Sequence, residues 1–82
     1  MEERRIKLIW DFRGEAAQKT AVHHKIHLEE YCSAKQLNNC ITGSQDIHEM
    51  HSIAFLVVNE SQMIGVRDAL KPHRGEVYIA TP

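Results

Sequence analysis

Residues 6–31, IKLIWDFRGEAAQKTAVHHKIHLEEY, contain the change of period that decides the fold. Ile6, Leu8, Trp10 and Phe12 alternate with Lys7, Ile9 and Asp11, which is the two-residue period of a half-buried strand, and Gly14 ends it. From Glu15 onward Ala17, Ala21, His24, Leu28, Tyr31 and Lys35 fall on one stripe at helical spacing, through a segment free of Gly and Pro. A strand followed directly by a long helix is therefore expected.

Beyond the helix, Asn38-Asn39 reads as its stop, and Cys40 to Ile47 reads as a weak strand interrupted by Gly43. Ile53 to Val58 is continuously apolar, as in a strand buried on both faces, and lies close enough to the preceding strand to form a hairpin with it. Asn59-Glu60-Ser61 supplies capping groups for a short helix carrying Met63, Val66 and Leu70, which Pro72 stops before a last alternating strand, Glu76 to Thr81. The order strand, helix, strand, strand, helix, strand predicts an α+β, ferredoxin-like βαββαβ two-layer sandwich. In it a four-stranded antiparallel sheet carries two helices on one face, with the first and third strands central. Residues 1–82 read as a single domain.

The composition narrows the functional classes. The chain has 82 residues, 10 Lys+Arg against 11 Asp+Glu, and 43% hydrophobic residues. With a net charge of -1 and scattered Lys and Arg, it has no basic face of the kind that neutralises phosphate backbones, so nucleic acid is not an expected partner. The longest apolar run, Ile53 to Val58, is far short of the roughly 18–20 residues of a membrane span, and the charged start Met1-Glu2-Glu3-Arg4-Arg5 leads into no signal-type apolar core. A cytoplasmic location without membrane contact is expected. Cys32 and Cys40 lack C-x-x-C spacing and are expected to be reduced and mostly buried.

In this topology three connections share one edge of the sheet. They bring Asp11, Arg13 and Gly14 from the first, His48, Glu49 and His51 from the hairpin tip, and Lys71, His73, Arg74 and Gly75 from the last. Asp11, Arg13, His48, His51, His73 and Arg74 are accordingly the candidate ligand-binding residues, since loops held on a rigid sheet are common functional sites. Arg13-Gly14 directly precedes the first helix, whose free amides attract anions, although one Arg-Gly pair does not specify a phosphate site.

Six histidines, at 23, 24, 27, 48, 51 and 73, dominate the chemistry, and imidazole is the commonest transition-metal ligand near neutral pH. His23 and His27 are four apart on one helix face and are the candidate metal ligands, with Glu30 on the same flank as a further one. His48 and His51 form an H-x-x-H pair in the hairpin, but H-E-x-x-H is absent. His24 lies in the apolar stripe and is expected to be buried and hydrogen-bonded to a neighbour. Neither thiol occupies the position of an activated nucleophile, and Asp11 with a histidine of the shared edge is the one acid-base pairing offered.

Two known uses of this topology are disfavoured. The first loop, Asp11-Phe12-Arg13-Gly14, lacks the C-x-x-C of metal-chaperone domains, and the third strand lacks the aromatic signature of RNA-recognition domains. The pattern around the His-bearing helix is similar to that of small dimeric α+β barrel proteins, some of which are enzymes. No motif matches residue by residue, so no site carries over.

One sheet face has no helices, and Ile9 with alternate residues of the third strand is expected to form an apolar strip there that joins two copies. Val22 and Ile26, opposite the core stripe of the first helix, form a smaller patch. The expectation is thus a small non-enzymatic ligand-binding or oligomerisation domain, a homodimer through its open sheet face, with a transition-metal ion as the candidate cofactor. The alternative is a small enzyme of the dimeric α+β barrel kind, its pocket between sheet and helices using Trp10, Asp11 or His24.

Overall fold

The computed structural model describes residues 4–37 and 40–79. Its elements are β1 (Arg5–Arg13), α1 (Ala17–Ala34), β2 (Ile41–His48), β3 (His51–Asn59), α2 (Glu60–Leu70) and β4 (Arg74–Tyr78). The strands form one antiparallel sheet in the order β2-β3-β1-β4. This is the ferredoxin-like α+β architecture, with β1 and β3 at the centre. The expected helix stop at Asn38-Asn39, the strand end at Thr81 and residues 1–3 of the charged start lie outside the described residues.

Alternation along β1 and β3 sorts their side chains onto two faces. Ile6, Leu8 and Trp10 of β1 and Ala54, Leu56 and Val58 of β3 are buried with Ala21, Leu28 and Cys32 of α1 and Val66 of α2, with Phe12, Tyr31, Met63 and Leu70 packed around them. Ala17 and Ala21 let α1 approach the sheet closely, since a methyl side chain leaves the least bulk between the two layers. The capping reading of the second helix fits the geometry: the Asn59 backbone N–H donates to Gln62 Oε1 at 3.2 Å. At its far end Lys71 adopts a left-handed conformation, its N–H bonded to the Arg67 carbonyl at 2.8 Å, before Pro72 ends the turn. β4 begins earlier than its apolar pattern indicates, because Arg74 and Gly75 already pair with Ile9 and Leu8.

Gly43 does not interrupt β2. It pairs with Phe55 across the strand, and the Phe55 ring lies over it, so that a Cβ on Gly43 would stand 2.4 Å from the ring. The ring in turn carries the Lys7 ammonium 4.4 Å from its centre. This arrangement changes the expected character of the open face. Ile9, Ile53 and Val57 point away from the helices, yet they are only 2%, 4% and 0% exposed. The apolar strip expected to join two copies is already shielded within one chain, by Phe55, Lys7 and polar groups described below.

Gly43→Val should therefore force the Phe55 ring off the sheet and lower stability by about 1–3 kcal/mol, as overpacking does. Pairing it with Phe55→Ala should recover part of that loss. A double-mutant cycle by urea unfolding checks this, and strictly additive effects would contradict the contact.

Candidate functional site

The edge residues converge on Asp11. As the alternation along β1 requires, Asp11 faces away from the helices while Trp10 and Phe12 face them, and its neighbours come from β3 and β4. One carboxylate oxygen lies 2.9 Å from Nε2 of His51, the first residue of β3. Arg74 closes the other side, donating from Nε to Oδ2 at 3.0 Å and from Nη2 to Oδ1 at 3.1 Å, a two-pronged pairing that suits a planar guanidinium. The Asp11 backbone N–H donates to His73 Nδ1 at 2.8 Å. The hydrogen-bonded Arg74 guanidinium is the main cause holding the Asp11 carboxyl down at about 2; burial opposes it and the His51 hydrogen bond reinforces it.

Of the six candidate ligand-binding residues, the structure thus brings Asp11, His51, His73 and Arg74 into direct contact. The His48 ring lies 5.5 Å from that of His51, but its Nδ1 accepts from the Met50 N–H at 3.4 Å while His51 Nε2 is held on Asp11, so the H-x-x-H pair does not converge. Arg13 stands opposite His51 in the register and is exposed. Ser52, next to His51, points to the other face and donates to Asp46 Oδ1 at 2.9 Å, so it forms no triad with His51 and Asp11.

The second cluster lies on α1. Four residues of helix place the Nε2 atoms of His23 and His27 2.9 Å apart, with the rings 4.5 Å between centres and nearly perpendicular. Glu30, one turn on, does not join them as a third ligand. Its carboxylate instead takes the opposite side of His27, 3.2 Å from Nδ1. With a carboxylate beside Nδ1 and an imidazole beside Nε2, His27 has the carboxylate–histidine arrangement that orients metal ligands elsewhere. Among the described residues no three His, Cys, Asp or Glu side chains converge as a set that could hold a metal ion, and the cluster on α1 consists of two imidazoles.

His24 departs from expectation. Tilted and edge-on aromatic contacts hold it rather than a hydrogen bond: its ring lies 4.9 Å from Trp10 and 5.5 Å from Phe12, and its Nε2 is buried without a partner among the described residues. Burial pushes its pKa below the usual imidazole value, with His27, His73 and His23 nearby adding to the effect. Because Asp11 occupies the opposite sheet face, Trp10, His24 and Asp11 do not line one pocket. An open groove of about 370 Å³ between α2 and β4 reaches Ile6 and Leu8 but none of those three. The thiols of Cys32 and Cys40 are free and in contact; burial, and then that contact, pushes Cys32 up to about 12, far from a reactive thiolate.

Comparison with protein families, curated proteins and solved structures finds no match to this chain. Among the described residues no helix is long and apolar enough to cross a membrane.

The Asp11 cluster makes a pH-dependent contribution whose sign is fixed. A carboxyl held below its unfolded value stabilises the fold above pH about 4, and that stability is lost as pH falls toward about 2. Screening at the half-exposed Arg74 leaves about 1–2 kcal/mol. Asp11→Asn should cost this amount at pH 7 and flatten the unfolding profile between pH 4 and 2. Parallel wild-type and variant profiles over that range would remove the charge from the account.

Proposed function

We propose that this protein is a small, non-enzymatic binding domain that takes a transition-metal ion through Nε2 of His23 and His27. The observation that carries the reading is the 2.9 Å approach of two Nε2 atoms, one of them backed by a carboxylate on its own ring. Two imidazole nitrogens bound to one zinc ion at about 2.0–2.1 Å stand about 3.3 Å apart at a tetrahedral angle, a small rotamer adjustment from the arrangement here. An ion and a proton compete for the same nitrogen lone pairs, so acid weakens binding.

Other features agree with this reading. The free contact of Cys32 with Cys40 fits a reducing, cytoplasmic setting, and the near-zero net charge fits a protein without a nucleic-acid partner. Self-association belongs to the same proposal, but the shielding of Ile9, Ile53 and Val57 moves the contact away from the open sheet face. A second reading, an enzyme of the dimeric α+β barrel kind, draws on the Asp11–His51 pair, a carboxylate orienting an imidazole. It would place the chemistry on the open sheet face, where Arg74 and His73 complete the surroundings.

Titration of isotope-labelled protein with Zn²⁺, Ni²⁺ and Cu²⁺ separates the two. Saturable imidazole shifts at His23 and His27 at micromolar metal, abolished by His23→Ala and weakened at least tenfold by Glu30→Gln, are expected. Shifts confined to His48, His51 and His73, or only diffuse changes at millimolar metal, would overturn the assignment.

A further inference from the structure

We infer that the metal half-site on α1 is completed by a second copy of this chain, so that one ion joins two antiparallel α1 helices through four imidazoles; the inference rests on the metal reading above. Structural zinc takes four ligands, and among the described residues one chain brings two together here. Glu30 is already engaged on the far side of His27, so the missing ligands are not its carboxylate oxygens.

The surroundings of the pair fit a second helix. Val22 and Ile26, which flank His23 along α1, are 41% and 46% exposed. With Gln18, Lys19 and His23 they line a shallow concavity of about 350 Å³ on the side of α1 opposite buried Ala21 and Leu28. Lys19 lies about 9 Å along the helix axis on one side of the pair's midpoint, and Glu30 about 8 Å on the other. A two-fold axis perpendicular to the helices and passing through the ion therefore brings Lys19 of each copy about level with Glu30 of the other. A parallel arrangement would instead set Lys19 against Lys19 and Glu30 against Glu30. Charge complementarity thus selects the antiparallel pairing, which is the self-complementary contact of a two-fold dimer.

The contact area explains why the ion is needed. A stable interface buries about 1,200–2,000 Å² in total, and the outer face of one 18-residue helix supplies only part of that. Two Val and two Ile side chains assist the association, and the metal–nitrogen bonds decide it. The chain is monomeric without metal and dimeric with it.

Sedimentation velocity and calorimetric titration with ZnCl2, together with the imidazole spectra, test this. One zinc per two chains with a doubled mass is expected, reversed by EDTA and absent in His23→Ala. Val22→Lys combined with Ile26→Lys alters only exposed positions and keeps both imidazoles; it should leave a monomer that binds zinc at least tenfold more weakly, at one ion per chain. Saturation of wild-type His23 and His27 at one zinc per chain with no change in mass overturns the bridged dimer while leaving the half-site intact. A dimer indifferent to EDTA or to His23→Ala also overturns it. Absence of any shift at His23 and His27 removes the metal reading and the inference together.

Discussion

Strand β3 is buried on both faces, and the rest of the structure is arranged to satisfy that requirement. Its pairing with β1 runs from Arg5 opposite Asn59 to Arg13 opposite His51, so each apolar residue of one central strand meets a side chain of the other on the same face. On the helix side, Ala54, Leu56 and Val58 are covered by the narrow inner stripe of α1 and by Val66 of α2. Clamping that stripe onto the sheet fixes the rotation of α1 about its axis. The same rotation turns Val22, His23 and Ile26 outward and sets the His23–His27 pair on the surface, so the proposed site follows from the core that lies beneath it.

The opposite face is covered without a second layer of structure. Phe55 folds across Gly43, Lys7 settles on the Phe55 ring, and Arg74 and His51 close on Asp11. Long side chains shield apolar surface with their stems while their charged ends stay hydrated, which is how Ile53 and Val57 become inaccessible on a nominally open sheet. The Asp11 cluster contributes in two ways. It ties β1, β3 and β4 together where the strands end, and it holds an imidazole and a guanidinium in fixed orientations on a rigid support.

Much of this was legible in the residues. The alternation of Ile6, Leu8, Trp10 and Phe12 and the helical stripe from Ala17 are local signals, and together with the apolar run of β3 they define the element order. His23 and His27 were equally legible, because a four-residue spacing on a helix fixes proximity without knowledge of the fold. The failures share a cause. Gly43 read as an interruption because glycine weakens strands, whereas its role depends on the cross-strand partner Phe55. The open face read as sticky because no local pattern shows that Lys7 and Phe55 lie across it. Asp11, His51 and Arg74 were placed at one edge by topology, but their contact depends on the β1–β3 and β1–β4 registers. His24 was expected to find a hydrogen bond, and the packing gave it two aromatic rings instead.

On the proposed reading the outer face of α1 presents a nitrogen-only metal site. X-ray absorption at the zinc edge on the loaded protein tests it most directly. Ligation by His23 and His27 gives imidazole nitrogen scatterers at about 2.0–2.1 Å and no sulfur. A sulfur shell at about 2.3 Å would place the ion on Cys32 and Cys40, and an all-oxygen shell would place it outside the histidines altogether; either result rules out the histidine site.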